Sequence, residues 1–244
     1  MLENISEHNG AGVFITKVGD GSFSIKDEQG ILVGLKNRQQ IFAEKKLALE
    51  KAVFCQQTHS DHIFIVRESD AGRGSVDFNT GIPDTDALLT NLPEITLMIL
   101  VADCVPILLY DPVKKVIGAV HAGWKGTMKH ILEKTIQKMI VKYDCDPKDI
   151  IAEIGPSIGP DCFEVGEEVV LAAEVAKLTQ FVIHRNDRIY FDLWASNKEQ
   201  LTSTGVNEDN IQIEGICNHC SSDYYSFRRD KNANRFAAVI ALKN

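Results

Sequence analysis

The amino-acid sequence predicts an α+β protein with mixed sheets, organised as a single domain over residues 1–244. Three observations support this class. Short apolar runs typical of buried strands recur along the chain. The segment 127–142 has apolar residues at helical spacing. Strand and helix segments follow one another in irregular order, unlike the regular alternation of a parallel βαβ protein.

The first 100 residues contain both types of element. Residues 12–35 alternate apolar and polar positions between glycines, which predicts short antiparallel strands. From Asn37 to Leu49, apolar residues spaced among charges indicate a surface helix. Phe64–Val66 and Ile95–Ala102 are predicted strands, and the second is apolar on both faces, which is typical of a buried strand.

The rest of the chain is predicted from similar patterns. Two apolar strands, Pro106–Tyr110 and Val116–His121, are joined at the Asp111-Pro112 turn. Thr127 is the predicted N-cap of the helix that ends at Lys142. The later predicted elements are a strand at Ile150–Ile154, a loop at 155–159, a helix at 166–178, a helix capped by Asp192, and strands near Ile211–Ile216 and Phe236–Leu242.

Composition and charge exclude several classes of partner. The chain is 44% hydrophobic and 25% charged, as in an ordinary globular protein, and its formal net charge is −8. This acidic balance argues against a nucleic-acid partner, although a small anion needs only a local basic cluster. The longest near-apolar stretch, Ile95–Ala102, is far shorter than the ~20 residues of a bilayer span, so no membrane partner is expected.

The N-terminus and the cysteines predict a cytoplasmic protein. Met1–Gly12 contains Glu3 and Glu7 and lacks the apolar segment of a signal peptide. The cysteines are too sparse for a disulfide-stapled scaffold, so we expect reduced thiols. They are Cys55, Cys104, Cys145, Cys162, Cys217 and Cys220.

Three reactive side chains flank the apolar strands: His59, Cys104 and His121. Taken singly, each has an ordinary structural interpretation, as a small core residue or a hydrogen-bonded histidine. Together they offer two chemistries. His121 can lower the pKa of Cys104 for nucleophilic attack, or all three side chains can bind a divalent metal ion that keeps a fourth position open. The sequence spacing alone decides neither.

Two basic segments are candidate anion sites. His121 is followed by Ala-Gly-Trp-Lys-Gly ahead of the predicted helix, so backbone N–H groups and Lys125 are expected to converge near an imidazole. The second segment is the better candidate for phosphate, because Arg side chains match phosphate oxygens bidentately. The alternative is a solvated turn with structural ion pairs. Its cationic residues are Arg228, Arg229, Lys231 and Arg235.

The sequence Cys217-Asn-His-Cys220 invites a redox or zinc-ribbon interpretation. A second CxxC motif is missing, and no thioredoxin-like βαβ unit surrounds this one. The simpler prediction is two reduced thiols near the end of a strand.

Several ordered motifs carry a family resemblance. They are QQTHSDH (56–62), DTDALLT (84–90), ADC (102–104), VHAGWKGT (120–127), AEIGPSIGPDCFEVG (152–166) and SFRRDKNANR (226–235). Together they resemble the YfiH/YlmD family, whose members are labelled laccase-domain proteins, polyphenol oxidoreductases or purine nucleoside phosphorylases. The resemblance implies a four-layer α/β/β/α fold similar to the catalytic domain of cytotoxic necrotizing factor.

The resemblance also implies a cofactor and a reaction. His59, Cys104 and His121 are implied to bind one zinc ion, with copper as the alternative. The implied activity is phosphorolysis of adenosine, inosine and methylthioadenosine, accompanied by adenosine deamination, so the expected partners are a nucleoside and phosphate. Asp103 or Asp86 would carry a proton, and the alternative for each is an ordinary buried, hydrogen-bonded carboxylate.

Three other functions remain open on the sequence. A copper polyphenol oxidase would need a histidine-rich cluster, and the seven histidines are scattered. Editing of a peptidoglycan precursor by hydrolysis could use the same residues. A non-catalytic protein with a structural zinc would need a closed set of four ligands. The family's usual N-terminal arginine is Lys17 here, which predicts an altered pocket wall and a shifted substrate preference.

Overall fold

A computed structural model of the protein describes residues 10–25 and 28–243. The strands are β1 (Ala11–Ile15), β2 (Ala52–Phe54), β3 (Ile63–Ile65), β4 (Ala87–Thr90), β5 (Thr96–Val101), β6 (Val105–Asp111), β7 (Val116–Ala122), β8 (Ile151–Ile154), β9 (Glu164–Val165), β10 (Val182–Arg185), β11 (Arg188–Phe191), β12 (Ile211–Ile213) and β13 (Phe236–Leu242). The helices are α1 (Glu28–Glu44), α2 (Trp124–Met128), α3 (Ile131–Tyr143), α4 (Glu167–Ala176), α5 (Leu193–Ser203) and α6 (Phe227–Asp230).

The strands form three sheets with mixed strand directions. Sheet I has the order β1-β13-β5-β2, and β5 pairs antiparallel with β13 but parallel with β2. Sheet II has the order β12-β8-β6-β7-β4-β3, with parallel pairs at both edges and antiparallel pairs between them. Sheet III is the small sheet β10-β11-β9. The predicted mixture of helices and mixed sheets is therefore confirmed.

Three apolar cores order the layers. One core joins Ile41 and Phe42 of α1 to the outer face of sheet I. The second lies between sheets I and II, where Ile99 of β5 packs in the same cluster as Leu108 of β6. The third joins the opposite face of sheet II to helices α2–α5. The layers thus run from helix α1 through the two sheets to the second group of helices.

The chain crosses from sheet I to sheet II twice. β2 of sheet I leads through residues 55–62 into β3 of sheet II, and β5 of sheet I leads through residues 102–104 into β6 of sheet II. These two connections contain His59 and Cys104. The fold therefore brings two of the predicted site residues to the junction between the sheets.

Most predicted strands of the centre of the chain are present within one or two residues of their expected bounds. Apolar runs at 96–101, 105–111, 116–122, 151–154 and 236–242 all form strands. The predicted cap of α5 is also present, because the Asp192 carboxylate accepts the backbone N–H of Ala195 at 2.9 Å.

Three predictions about elements were wrong. The second half of 12–35 is not a strand, because helix α1 already begins at Glu28. The segment 124–143 is two helices, since His130 adopts a left-handed backbone with φ 58° that interrupts the helical path. Thr127 therefore lies inside α2 and is not an N-cap. The hairpin β10–β11 was not predicted, since each strand has only four residues and charged side chains stand where the two strands meet at the turn.

The interpretation of Met1–Gly12 rests mostly on residues 1–9, which lie outside the described residues, as does His8. Among the described helices, none has both the length and the apolar character needed to span a bilayer.

Candidate metal centre

Three side chains from separate parts of the chain meet at the junction of the two sheets. The ligand atoms of His59, Cys104 and His121 all lie within 4.8 Å of one another. The Cys104 Sγ is 3.6 Å from Nε2 of His59, and the two imidazole rings are edge-on with centroids 5.0 Å apart. One metal ion could contact all three side chains without a rearrangement of the backbone.

The position of His59 is held by the segment that precedes it. The Gln57 side chain donates to the carbonyl oxygen of Leu100 at 2.7 Å and accepts the Leu100 N–H at 2.9 Å. This pairing fastens the loop after β2 to β5, whose end leads directly into Cys104. His59 itself has a left-handed backbone with φ 62°, an uncommon conformation that the surrounding contacts must hold.

Asp86 orients His121. Its carboxylate is fully buried and accepts the Nδ1–H of His121 at 2.7 Å. It also accepts the backbone N–H of His59 at 3.1 Å and that of Ser60 at 2.7 Å. Burial opposes ionisation, but the hydrogen bonds from His121 and Ser60 outweigh it and hold the pKa of Asp86 below its usual range. With the proton on Nδ1, the Nε2 of His121 is left for a ligand.

The electrostatics of the cluster favour charged groups. Burial raises the pKa of the Cys104 thiol, but the His121 charge and hydrogen bonds from both imidazoles outweigh that effect and lower the pKa to about 6. For His121, burial lowers the pKa, but the Cys104 thiolate and Asp86 raise it to about 9. The metal-free protein thus holds a thiolate–imidazolium pair. A metal ion must replace the imidazolium proton, so metal and protons compete.

The close packing at the site requires a glycine at position 123. A Cβ atom on Gly123 would lie 2.8 Å from Cδ2 of His59 and 2.9 Å from the Cys104 Sγ. Both distances are shorter than a normal van der Waals contact. The glycine in the HAGW motif therefore leaves room for the side chains of His59 and Cys104.

Asp103 has a structural environment. Its Oδ1 accepts from Asn218 Nδ2 at 3.0 Å and from Ser226 Oγ at 2.6 Å, and its Oδ2 accepts the backbone N–H of Arg228 at 2.6 Å. With these donors in place, the carboxylate fastens the start of α6 beside the metal ligands. This geometry favours the positioning role over the proton carrier for Asp103. Asp86 accepts hydrogen bonds from His121 and from backbone N–H groups. It therefore also matches the alternative of a buried, hydrogen-bonded carboxylate and not that of a proton carrier.

The cluster opens into a cavity of about 510 Å³, within the usual size range of small-molecule sites. Its charged lining is mainly cationic, and Asp103 is the single carboxylate among the described lining residues. The cationic lining residues are Arg38, Arg228, Lys231 and Arg235. Apolar walls are formed by Phe54, Phe78, Leu100, Val101, Ile158, Phe163 and Phe227. The cavity therefore suits a ligand with an anionic part and a flat apolar part.

The structure places two predicted anion-binding residues outside this cavity. Arg229 donates to the carbonyl oxygens of Asn218, Ser221 and Tyr224 and pairs with Asp230, so its guanidinium is committed to the local backbone. Lys125 is exposed, and its Nζ lies 5.5 Å from the centroid of the Trp124 ring. The assignment of these two residues to a phosphate site is corrected accordingly.

Lys17 also lies away from the cavity. Its Nζ contacts Asp223 at 3.3 Å and lies 5.8 Å from the centroid of the Tyr224 ring. The substitution at this position therefore does not change the described cavity wall directly, contrary to the expectation from the sequence.

Arg38 was missed as a lining residue. A charge in a predicted surface helix normally faces water, and no local pattern marks this one as different. The side chain is 1% exposed and lies on the inner face of α1. Phe163 and Phe227 were missed for a similar reason, because an aromatic residue outside any long periodic segment has no pattern that indicates its direction.

Alkylation of the metal-free protein is expected to detect the Cys104 thiolate. Since the pKa is about 6, the rate of Cys104 modification by iodoacetamide should reach half its maximum near pH 6 rather than near ~8.5, and bound metal should protect the thiol. Peptide mass spectrometry separates Cys104 from the other cysteines, and buried Cys145 serves as the unreactive control. A half-maximum near the ordinary thiol pKa, with no protection by metal, would contradict the assignment.

A mixed α/β fold that brings a His₂Cys cluster, able to hold a metal ion, to the wall of a cationic cavity defines a candidate metal-dependent active site. The chain belongs to the family described as multi-copper polyphenol oxidoreductase laccase, whose sequence model matches residues 19–243. The resemblance to YfiH and YlmD proteins is thereby confirmed.

Named relatives cover most of the chain. It is 33% identical over 214 residues to purine nucleoside phosphorylase YlmD of Bacillus subtilis (strain 168), which covers 86% of this chain and 77% of that one. It is 33% identical over 186 residues to adenosine deaminase RL5 of an unknown prokaryotic organism, with 74% and 71% covered. The crystal structure of Bacillus licheniformis hypothetical protein YfiH matches with a TM-score of 0.92 at 28% identity, covering 98% of this chain and 95% of that one.

Proposed function

We propose that the protein is a zinc-dependent purine nucleoside phosphorylase with adenosine deaminase side activity. The observation that carries the proposal is the His59–Cys104–His121 cluster in the wall of a cationic cavity. Relatives named for each of the two activities support it. The substrates are adenosine, inosine or methylthioadenosine together with phosphate. The net charge of −8 favours these small molecules over nucleic acid, and the cytoplasm is the proposed compartment.

The separation of the donor atoms supports zinc. In a tetrahedral zinc site the Zn–S distance is about 2.3 Å and the Zn–N distance about 2.0–2.1 Å, so sulfur and nitrogen lie about 3.6 Å apart. The Cys104 Sγ and His59 Nε2 are 3.6 Å apart. Imidazole nitrogen and thiolate sulfur are both donors that zinc takes, and a set of three protein ligands leaves one position for a substrate or water.

A multi-copper oxidase is less well supported. Laccase chemistry requires a histidine-rich group of several copper ions. Among the described residues, the two clusters with metal-ligand geometry contain only three histidines between them, two in one and one in the other. His62 is exposed and contacts Asp84, so it does not extend the first cluster. A single copper ion in place of zinc remains the alternative, since copper binds such donors tightly.

The cavity lining accounts for the two halves of a phosphorolysis reaction. When bound, zinc supplies a Lewis acid and activates water for the deamination. Arg228, Lys231 and Arg235 are the phosphate-binding candidates. Among the described residues, the Arg228 guanidinium donates one hydrogen bond to the backbone, from Nη1 to the carbonyl oxygen of Glu164 at 3.0 Å. The phenyl ring of Phe163 lies below the Arg228 guanidinium, so a purine base can pack beside the bound anion.

A product assay with and without phosphate tests the proposal. The zinc-loaded protein is incubated with adenosine or inosine in phosphate or in sulfate, and the products are separated by chromatography. Adenine or hypoxanthine should appear only with phosphate, together with ribose 1-phosphate. Adenosine should also give inosine and ammonia in either buffer, because deamination consumes water and not phosphate.

The Arg228→Met variant tests the anion subsite in the same assay. It should raise the KM for phosphate more than it lowers the deamination rate, because only phosphorolysis uses the anion. The opposite result would show that the anion binds elsewhere. If folded, metal-loaded protein consumes neither nucleoside, the phosphorylase assignment fails and peptidoglycan-precursor editing becomes the leading alternative.

A further inference from the structure

A second group of metal-competent side chains lies outside the cavity. We call Cys162, Cys217, His219 and Cys220 the thiol cluster. The ligand atoms of Cys162, His219 and Cys220 lie within 4.8 Å of one another, and the Sγ atoms of Cys162 and Cys220 are 3.3 Å apart. Cys217 adjoins this group but is not one of the three residues whose ligand atoms meet that distance. Three soft or borderline donors from two distant segments thus meet at one point, with Cys217 beside them.

Backbone contacts hold the two segments together. Residues Ser157 and Cys217 form an isolated parallel bridge, in which the Ser157 N–H donates to Ile216 at 3.2 Å and the Asn218 N–H donates to Ser157 at 3.1 Å. The Gly159 N–H donates to the Cys217 Sγ at 3.2 Å. The positions of the thiols are therefore fixed by the fold around them, and little ordering would accompany the binding of an ion.

The sulfur–sulfur distance decides between two chemistries. Two thiolates on one tetrahedral zinc ion, each at about 2.3 Å, lie about 3.8 Å apart. A disulfide needs its sulfurs at about 2.05 Å. The observed sulfur–sulfur distance of 3.3 Å would lengthen by about half an ångström on binding zinc. It would have to shorten by more than an ångström to form a disulfide. The arrangement is closer to a metal site than to a disulfide.

We propose that the thiol cluster is a second, structural metal site for a thiophilic ion such as Zn²⁺, with Cys162, His219 and Cys220 as ligands and Cys217 as the residue that would take the fourth position. Four protein ligands with a majority of thiolates are typical of closed structural zinc sites. This set differs from the open three-ligand set at His59, Cys104 and His121. The proposal stands independently of the activity assigned to the first site.

The turn that contains Cys217, His219 and Cys220, which a bound ion would hold together, also makes hydrogen bonds toward the first site. Asn218 lies between Cys217 and His219 and donates to Asp103 beside the ligand Cys104. Arg229 donates to the carbonyl oxygens of Asn218 and His219. A metal ion in the thiol cluster therefore stabilises the turn that orients Asp103 and the start of α6.

Metal stoichiometry tests the proposal without an activity measurement. Full-length protein is loaded with Zn²⁺ and freed of excess ion by gel filtration. The zinc content per chain is then measured by elemental mass spectrometry. We expect about two zinc ions per chain in the wild type. The Cys162→Ser/Cys220→Ser variant and the Cys104→Ala/His121→Ala variant should each retain about one, and the combined variant almost none. Cys145→Ala, which removes a thiol at a distant buried position, should leave the stoichiometry unchanged.

Cobalt substitution gives a second measurement. In the Cys104→Ala/His121→Ala background, Co²⁺ should show tetrahedral absorption bands with strong sulfur-to-metal charge transfer, and Cys162→Ser/Cys220→Ser should abolish them. Retention of one ion at the first site shows that the thiol-cluster variant is folded. Zinc content that is the same in the wild type and in Cys162→Ser/Cys220→Ser would overturn the proposal. So would a Cys162–Cys220 disulfide that forms in air in the presence of excess Zn²⁺.

Discussion

Replacing Cys104 with alanine is expected to remove the metal ion at the first site and to lower kcat for nucleoside cleavage by about 10³-fold, the scale on which losing a major electrostatic stabiliser lowers kcat. The reason is the geometry of the cluster. The Cys104 sulfur provides the one negative charge among the three ligands, and it lies 3.6 Å from Nε2 of His59. Without it, two neutral imidazoles hold a divalent ion only weakly.

Metal analysis and steady-state kinetics on matched variants check this result. His121→Ala should behave like Cys104→Ala. Asp86→Asn should keep the shape of the site but weaken metal affinity by about 10–100-fold, since it removes the charge that orients His121. His62→Ala is the control, because His62 is exposed, three residues from His59, and contacts Asp84 instead of the cluster. Metal content unchanged in both Cys104→Ala and His121→Ala would contradict the assignment.

Replacing Arg38 with methionine is expected to lower the free energy of unfolding by about 3–5 kcal/mol. The guanidinium donates to the carbonyl oxygens of Phe23, Gly74 and Ser75, and it lies 4.0 Å from the centroid of the Phe54 ring. Burial lowers its pKa to about 9. Methionine fills much of the volume, but it leaves buried carbonyl oxygens without donors, which outweighs the gain from removing a buried charge.

Urea unfolding followed by circular dichroism measures the change, with Lys36→Met as the control. Lys36 is exposed on the same helix, so its replacement should change the unfolding free energy by less than about 0.5 kcal/mol. Equal effects from the two substitutions would show that the Arg38 hydrogen bonds make no net contribution.

The strands of the centre of the chain were predictable because burial on both faces leaves a continuous apolar run. β5, β6 and β7 all show this pattern. The hairpin at 182–191 was not predictable, since half of its residues face water and several are charged. The left-handed backbone of His130, which separates α2 from α3, has no signal in the sequence, since no glycine or proline marks this position.

The three ligands of the first site were predicted from the family resemblance, and their spacing alone left two chemistries open. Their convergence depends on sheet order, which no local pattern contains. The same holds for the thiol cluster, where Cys162 and Cys220 are separated by 58 positions along the chain. Arg229 is the opposite case. A cationic motif predicted that this side chain binds an anion, but in the structure its guanidinium donates to nearby carbonyl oxygens.

The two crossings between sheets I and II have a consequence for the lifetime of the folded protein. His59 and Cys104 lie on separate crossings, so they meet His121 only after the two sheets have docked. A chain with one sheet assembled has no site, and an ion that binds only the native state stabilises that state alone. An ion bound at this site would therefore raise the barrier to unfolding and leave the rate of folding nearly unchanged. Under the proposed function, metal supply would then set how long each molecule persists once it has folded, rather than whether it folds.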